Sequence, residues 1–261
     1  MTPRILPVSS ENQAFQRLEV LKRNRQKRAK HRRFVVEGVR PINLALEKGW
    51  RVESFAYARG RQLSRWAREI LERSRADLHL GLAPALMEKL SDKDETSELL
   101  AVVEMRTTSL SDVPVHPEML VVVVDRPTNP GNLGTIVRSC DSFGADALIV
   151  SGHSADLHDP RTIRSSIGTL FTVLTVPSPS HGELFDWIGQ TRNRLPAFRF
   201  IGTSARAAVP LHEMDLRGPL VLAVGNETSG LSHAYQEACD AMASIPMRGS
   251  ASSLNLAVAA S

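Results

Sequence analysis

Short, almost continuous apolar runs recur through the second half of the chain. The first, MLVVVVD, occupies residues 119–125. Five further runs lie at 147–150, 170–176, 198–202, 220–225 and 242–247. Because a parallel strand covered on both faces is apolar throughout, these runs predict an open parallel α/β sheet, with helical stretches between several of the strands. Such sheets bind ligands in the loops beyond the carboxyl ends of their strands.

The first half alternates predicted strands with predicted helices. Strands are predicted at 34–38, 52–58, 78–83 and 99–105. Three helices are predicted between these strands by the spacing of their apolar residues. The first ends near Gly49, the second carries Leu63, Trp66 and Ile70, and the third ends near Leu90. The alternation predicts a small α/β domain over residues 1–106. Residues 107–118 contain two prolines and no clear period, which indicates a linker, and residues 119–261 form the second predicted domain.

Charge separates the two halves. Residues 1–108 hold 22 Lys and Arg against 14 Asp and Glu, a net charge of +8, whereas residues 109–261 hold 10 against 14, a net of −4. Together these values give the formal charge of +4 for the whole chain. A basic half joined to a mildly acidic half is expected when one domain holds a polyanion and the other carries out chemistry.

The basic charge is concentrated in residues 22–33, KRNRQKRAKHRR, which contain no acid. Its basic residues are Lys22, Arg23, Arg25, Lys27, Arg28, Lys30, Arg32 and Arg33. Like charges at i, i+3 and i+4 of a helix repel one another, and a bound polyanion relieves that repulsion through counterion release. The run therefore predicts RNA contact, with an ordinary solvated helix surface as the alternative. Arg164, in RTIRSS, is a further candidate for contact with RNA phosphate or with a partner subunit.

Several other classes of protein lack support in the sequence. The two cysteines, Cys140 and Cys239, form neither a disulfide framework nor a Cys/His cluster for a metal ion. No stretch approaches 18 uninterrupted apolar residues, and the N-terminus lacks a signal-peptide core, so a cytoplasmic protein that does not enter the membrane is expected. The motifs GxGxxG, GxxxxGK[ST], GxSxG and HExxH are absent, which leaves hydride transfer, phosphoryl transfer and zinc hydrolysis without support.

Three polar loops follow predicted strands, and we call them the motif loops. They are DRPTNPGNLGTIVRS (125–139), GNETSGLS (225–232) and IPMRGSASSLNLAVAAS (245–261). Each loop alone has a structural interpretation. Residues 129–131 make a common turn, Glu227 is a candidate cap for the helix that follows it, and Ser252 or Ser253 is a candidate N-cap.

Together and in this order, the motif loops resemble the three signature motifs of the SpoU-type (TrmH-like) RNA 2′-O-ribose methyltransferases. Motif one, N-x-G-x-x-x-R, is Asn132, Gly134 and Arg138; motif two, G-N-E-x-x-G, is Gly225, Asn226, Glu227 and Gly230; motif three is Ile245, Pro246, Met247, Gly249, Ser253, Leu254 and Asn255. The first half resembles the RNA-binding domain of many rRNA-directed members, a module similar to certain ribosomal proteins. FVVEGVRPINLALEKGW and SSIGTLF are most similar to actinomycete methyltransferases that protect the large ribosomal subunit from orthosomycin antibiotics.

The resemblance implies a parallel sheet whose C-terminal segment threads a loop to form a deep trefoil knot, a feature otherwise nearly absent from proteins. It also implies that the knot loops bind S-adenosylmethionine. The cofactor-binding residues carried over are Thr203, Gly225, Asn226, Glu227, Ile245, Met247, Ser253, Leu254 and Asn255. Family members are homodimers in which each site borders the other subunit, so a homodimer is expected. Related sequences continue beyond Asn255 with a longer helix, which implies an abbreviated interface or a truncated sequence here.

The implied reaction needs a ribose 2′-hydroxyl in line with a sulfonium methyl group. Arg138 is the motif residue nearest this step in the family. Its very high pKa makes a general base difficult, so its expected role is to hold the target phosphate and to stabilise charge on the 2′-oxygen. Asn132 and Glu227 would fix Arg138 and the loops, while Ser253 and Asn255 would support the nucleotide and the knot.

The resulting prediction is S-adenosylmethionine-dependent 2′-O-methylation of a 23S rRNA nucleotide, conferring resistance to a ribosome-targeting antibiotic. One alternative is the same reaction on tRNA, against which the full N-terminal domain counts. The other is a non-catalytic RNA-binding or ribosome-assembly protein, against which the intact Arg138 and intact cofactor loops count.

Overall fold

The chain folds into two compact units, seen in a computed structural model that describes residues 4–91, 96–251 and 253–261. The first unit comprises Met1–Arg106 together with His158–Phe171, and the second comprises Thr107–Leu157 with Thr172–Ser261. The first unit is therefore discontinuous along the chain, because a short segment from the second half belongs to it. Each unit is built around its own β-sheet.

The strands and short helices follow the chain in regular alternation. The strands are β1 Arg4–Val8, β2 Arg33–Glu37, β3 Val52–Ala58, β4 Leu78–Leu82, β5 Leu99–Glu104, β6 Leu120–Asp125, β7 Ala147–Ser151, β8 Thr175–Ser178, β9 Arg199–Thr203, β10 Val209–Pro210, β11 Leu220–Val224 and β12 Ala241–Ser244. The helices are α1 Gln13–Arg23, α2 Arg25–His31, α3 Val39–Glu47, α4 Arg65–Arg73, α5 Pro84–Leu90, α6 Pro130–Phe143, α7 Pro160–Ser165, α8 His181–Arg194, α9 His233–Ala238 and α10 Leu256–Ala259.

The sheet of the first unit has the strand order β1-β4-β3-β5-β2. β1, β4 and β3 are parallel, whereas β5 pairs antiparallel with both β3 and β2. Phe15, Leu18 and Leu21 of α1 pack on this sheet and are buried in its core. The strands predicted in this half are present, and the sequence pattern missed only β1, a short strand that contains Pro7 and pairs on one side.

The basic run 22–33 is divided among the end of α1, α2 and the start of β2. Arg28 is only 2% exposed; its guanidinium donates to two main-chain carbonyls of α1 and lies 3.6 Å from the Asp159 carboxylate. Lys22 is 7% exposed and lies 3.4 Å from the Glu37 carboxylate. The prediction of RNA contact is wrong for these two side chains, because both are buried inside the unit. The others are Arg23, Arg25, Lys27, Lys30 and Arg32, which are exposed, and Arg33, which is half-buried.

The second unit contains the predicted open parallel sheet, with the strand order β10-β12-β9-β11-β6-β7-β8 and every pairing parallel. The strands at its centre are almost entirely apolar because both faces are covered, and Val121, Val123 and Val221 are fully buried. The prediction of an α/β fold is confirmed. After β6 the chain adds β7 and β8 to one side of the sheet, and it then forms β9 to β12 on the other side. The strand order therefore reverses between β6 and β11.

Two strands predicted from the sequence differ in their bounds from the strands in the structure. The run at 170–176 is not one strand: Thr169–Phe171 forms a 3₁₀ turn buried in the first unit, and β8 begins only at Thr175. The run at 242–247 ends as a strand at Ser244, and Pro246, which has no N–H to donate, lies beyond it. Apolar composition indicated burial correctly at 170–171 but did not reveal which unit buries these residues.

Candidate active site

Three loops that follow adjacent strands surround one cavity of the second unit, with a volume of about 640 Å³. They leave the carboxyl ends of β9, β11 and β12, which neighbour one another in the sheet. The wall includes Thr203, Gly225, Asn226, Glu227, Ile245, Met247, Ser253 and Leu254. Eight of the nine residues predicted to bind the cofactor therefore share this cavity, and the ninth, Asn255, lies outside its wall.

The loop after β11 folds tightly upon itself. A Cβ at Gly225 would lie 2.7 Å from the Gly230 Cα and closer still to the main chain of Leu231, so only glycine fits. The Asn226 side-chain oxygen accepts from the N–H groups of Thr228 and Ser229 at 2.9 and 3.1 Å. All residues of this turn, from Gly225 to Gly230, line the cavity, so its tight conformation shapes that part of the wall.

Glu227 joins this loop to the start of α6. Its carboxylate accepts from the N–H groups of Thr128 and Asn129 at 3.1 and 3.2 Å, and from the Asn132 side-chain amide at 3.2 Å. Partial burial acts to raise the pKa of Glu227, but these hydrogen bonds outweigh it and leave the pKa below its usual value. Glu227 is thus a carboxylate at neutral pH. The sequence made Glu227 a candidate cap for the following helix, α9. Its carboxylate instead accepts hydrogen bonds from residues at the start of α6 and just before it.

The third motif loop is tied to the first by Asn255. Its side-chain amide donates to the Asn132 side-chain oxygen at 3.1 Å, and its own oxygen caps α10 by accepting from Ala257 at 2.9 Å. The N-cap is therefore Asn255 rather than Ser253, and Ser252 lies outside the described residues. Asn132 consequently links Glu227 and Asn255, which brings one polar residue of each motif into a single hydrogen-bonded chain.

Arg138 lies elsewhere on α6. It is six residues beyond Asn132, a rise of about 9 Å along the helix axis, and its exposed side chain is not part of the cavity wall. Among the described residues, no hydrogen bond or ion pair holds its guanidinium. The bonds of Asn132 and Glu227 therefore fix the motif loops to one another but do not reach Arg138.

The residues that anchor the loop after β11 were not predicted from the sequence. Asp125, only 2% exposed, accepts from the Ser232 N–H at 2.9 Å and pairs with Arg126 at 3.0 Å. The Arg126 carbonyl accepts from the Asn226 side chain at 2.7 Å, and the Arg126 guanidinium donates to the Gly230 carbonyl at 3.3 Å. These contacts depend on β6 lying beside β11, which the linear sequence does not reveal.

The loop after β9 was also only partly recognised. Thr203 was predicted, and its hydroxyl donates to the Ala223 carbonyl at 3.1 Å, but Ser204, Ala205 and Arg206 also line the cavity. Arg206 is the basic residue of the wall within the described part of the chain. Arg206 could have been predicted from its position in the chain, since it follows a buried strand closely and the neighbouring strands carry two of the motifs.

The cavity fits S-adenosylmethionine in size and chemistry. Its volume lies within the roughly 300–1,000 Å³ typical of ligand pockets, and Leu231, Met242 and Leu256 contribute apolar surface beside the main-chain groups of the tight loops. Arg206 and Glu227 supply one charge of each sign. Within the ranges the structure describes, no group of three or more His, Cys, Asp or Glu is arranged to hold a metal ion. No helix of those ranges is long and apolar enough to cross a membrane.

Comparison with protein families gives two matches along the chain. The SpoU rRNA Methylase family matches residues 119–261, which is more than half of the chain, and the SpoU L30e-like domain matches residues 12–101. The chain belongs to the SpoU rRNA methylase family. The predicted family and enzyme class are thereby confirmed.

Individual SpoU relatives extend over nearly the whole chain. A 23S rRNA (uridine(2479)-2′-O)-methyltransferase of Streptomyces viridochromogenes is 45% identical over 260 residues, covering 99% of this chain and 90% of the relative. The crystal structure of the SpoU methyltransferase AviRb from the same organism, in complex with AdoMet, has a TM-score of 0.90 at 46% identity and covers 95% of this chain and 94% of that one. An AdoMet-bound rRNA methyltransferase from Sinorhizobium meliloti has a TM-score of 0.85 at 27% identity, covering 98% and 94%. The predicted cofactor, S-adenosylmethionine, is confirmed.

Proposed function

We propose that this SpoU methylase transfers a methyl group from S-adenosylmethionine to the ribose 2′-hydroxyl of one nucleotide in 23S rRNA. The observation that carries the proposal is the convergence of residues of motifs two and three, together with the loop after β9, on a single cavity, with Asn132 of motif one bonded to a residue of each of the other two motifs. The full-length relative from Streptomyces viridochromogenes, which acts on a 23S rRNA uridine, supports the choice of RNA.

The cavity residues have a binding and orienting function in this proposal. S-adenosylmethionine, when bound, supplies an electrophilic methyl group on a positively charged sulfur. The tight turn at Gly225 and Asn226 presents main-chain groups to the cofactor, while Ile245, Met247 and Leu254 provide apolar walls. Glu227 already accepts several hydrogen bonds, and its pKa is lowered, so it fixes the loops rather than removing the 2′-hydroxyl proton.

Arg138 is the residue we assign to the reacting ribose. Its guanidinium can hold the phosphate beside the target nucleotide with a bidentate pair of hydrogen bonds and can stabilise charge that develops on the 2′-oxygen. Because this side chain is exposed and no hydrogen bond or ion pair holds its guanidinium within the described residues, it is available to RNA. A guanidinium stays protonated in proteins, so its contribution is electrostatic and positional rather than that of a base.

The test is transfer of labelled methyl groups from S-adenosylmethionine to 23S rRNA, 16S rRNA and bulk tRNA in parallel. The proposal predicts label on 23S rRNA alone. Label on tRNA alone would favour the tRNA alternative. Cofactor binding without label on any of the three RNAs would overturn the proposed substrate.

We also propose that the exposed part of the basic run binds the RNA backbone. Replacing Lys27 and Lys30 with alanine should lower RNA affinity and flatten its dependence on salt by about 1.5 in the log–log slope, since each lost phosphate contact removes roughly 0.7–0.9. The matched control replaces Arg68 and Arg73, exposed residues of the same unit, and should change the slope little. An unchanged slope in the first variant would make the run a solvated surface. Substitution is preferable to deletion because α1 contributes core side chains.

A homodimer is proposed from exposed apolar side chains on α6 and α10, which pack against each other. Phe143 is 65% exposed and Val258 is 61% exposed. Each lies about one helical turn from the contact between the Ser139 and Ser261 hydroxyls, 2.6 Å apart, so both border the same surface. A second copy of the chain would cover this surface. Because α6 also carries Arg138, the reaction site would then border the other subunit, as the family resemblance implies.

Replacing both Phe143 and Val258 with aspartate should convert the dimer to a monomer, because each carboxylate would have to be buried in an apolar interface. Light scattering coupled to size-exclusion chromatography measures the mass directly. The control changes Ile5, an apolar residue of the first unit that is 60% exposed, to aspartate, and should leave the mass unchanged. A double variant that keeps the wild-type mass would contradict this interface.

Resistance to a ribosome-targeting antibiotic and action in the cytoplasm complete the proposed biological role. Resistance would arise if the methylated nucleotide lies where the drug contacts the ribosome, and action in the cytoplasm agrees with a ribosomal RNA substrate. The trefoil knot expected from the resemblance stays a prediction.

A further inference from the structure

A second cavity, of about 260 Å³, lies within the first unit. Its lining comes from the end of β2 with the start of α3, and from α7 with the residues that follow it; both segments belong to this unit. Val39, Pro41, Pro160 and Ile163 give it largely apolar sides. Neither the motifs nor the cofactor site uses this cavity.

The backbone around this cavity adopts two unusual conformations. Gly38, where β2 turns into α3, has φ 105° and ψ 155°, a region open essentially to glycine alone. Ile167 has φ 49°, which is a genuine outlier for a β-branched residue. The next residue, Gly168, approaches α3 so closely that a Cβ would lie 2.8 Å from the Pro41 Cα. Such strain persists only where the surrounding structure holds it, and it is enriched around ligand sites.

Two exposed arginines contribute to the lining of the cavity, Arg40 from α3 and Arg164 from α7. The one acid of the lining, Glu37, has a side chain that is 9% exposed and pairs with Lys22 at 3.4 Å. The Arg28–Asp159 pair connects α2, which carries the exposed basic run, to the start of α7. The lining therefore combines apolar side chains and one internal ion pair with two exposed arginines.

We propose that this cavity holds one unstacked nucleobase of the RNA substrate, with Arg40 and Arg164 on the phosphates that flank it. The proposal rests on the proposed function for its choice of RNA. Sequence-specific recognition of RNA mainly targets bases splayed out of single-stranded loops, while arginines hold the phosphate backbone. The volume falls below the roughly 300 Å³ of the smallest drug-sized pockets, which suits a single base.

Two variants test the base and the phosphates separately. Val39→Asp places a carboxylate at a position that is 53% exposed, so it should not disturb folding. It should weaken binding of a 23S rRNA fragment about tenfold, because the base would meet a carboxylate in place of an apolar wall. The pair Arg40→Ala and Arg164→Ala should lower the salt slope by about 1.4, or 0.7 for each single-stranded phosphate contact. Arg68→Ala is the matched control and should leave affinity and slope unchanged.

Each outcome decides the proposal. Photocrosslinks from 4-thiouridine in the RNA to peptides of α3 or α7, lost in Val39→Asp, would support it, provided that S-adenosylmethionine affinity and melting temperature match the wild type. Unchanged RNA affinity in both variants would overturn it. So would a defect seen only on assembled large subunits and not on naked RNA, since that would indicate a protein contact. Failure of the proposed function is distinguishable: the wild type would then transfer no methyl group to 23S rRNA, while cavity-dependent RNA binding could still be measured.

Discussion

Replacing Arg138 with alanine should reduce methyl transfer by about 100- to 1,000-fold or more, the range measured when a transition-state hydrogen-bond donor is removed. The affinity for S-adenosylmethionine should stay within a few-fold of the wild type, because Arg138 lies outside the cavity wall. Single-turnover methylation of RNA and equilibrium binding of the cofactor measure the two effects separately.

Two further variants sharpen the Arg138 result. Arg138→Lys keeps the charge but loses the bidentate geometry, so partial activity is expected. Arg194, an exposed arginine at the end of α8 in the same unit, is the matched control, and its alanine variant should be fully active. Full activity of Arg138→Ala would remove this residue from the mechanism.

Replacing Gly225 with alanine should weaken S-adenosylmethionine binding by roughly tenfold to a hundredfold, because overpacking of this kind costs about 1–3 kcal/mol. The added Cβ would meet the main chain of Gly230 and Leu231, which cannot give way without opening the turn that lines the cavity. Isothermal titration with the cofactor gives the affinity, and thermal unfolding separates loss of the site from loss of the fold.

Gly189 provides the matched control for this substitution. It lies within α8, and a Cβ there would meet nothing within 4 Å. Gly189→Ala should therefore raise the free energy of unfolding by about 0.5–1 kcal/mol, the usual difference between the two residues inside a helix, and leave cofactor affinity unchanged. Wild-type affinity in Gly225→Ala would show that the turn after β11 does not form the site.

The central strands of the second unit were predictable because burial on both faces makes a parallel strand apolar along its whole length. The same rule failed at Leu170 and Phe171, which are buried by a 3₁₀ turn in the first unit rather than by the parallel sheet. Apolar runs report burial, and a short run carries no information about which sheet or turn provides it.

The motif residues of the candidate site were predictable because their order and spacing are specific, whereas their supports were not. Asp125 and Arg126 hold the loop after β11 only because β6 and β11 are neighbours, and adjacent strands can be far apart in sequence. At Lys22 and Arg28 the sequence predicted an exposed, RNA-binding side chain where the structure has a buried one. Both belong to a run that indicates a charged surface, yet each finds buried hydrogen-bond partners that composition cannot reveal.

The proposed 2′-O-methylation of 23S rRNA is tested most directly by locating the methyl group on the RNA. 23S rRNA methylated by the purified protein is digested to nucleosides for mass spectrometry, and the modified position is mapped by primer extension at low nucleotide concentration. A single 2′-O-methylated nucleoside is expected at one position of 23S rRNA, and it should be absent when Arg138→Ala replaces the wild type. Methyl groups on a base, or spread over many positions, would contradict the proposed reaction.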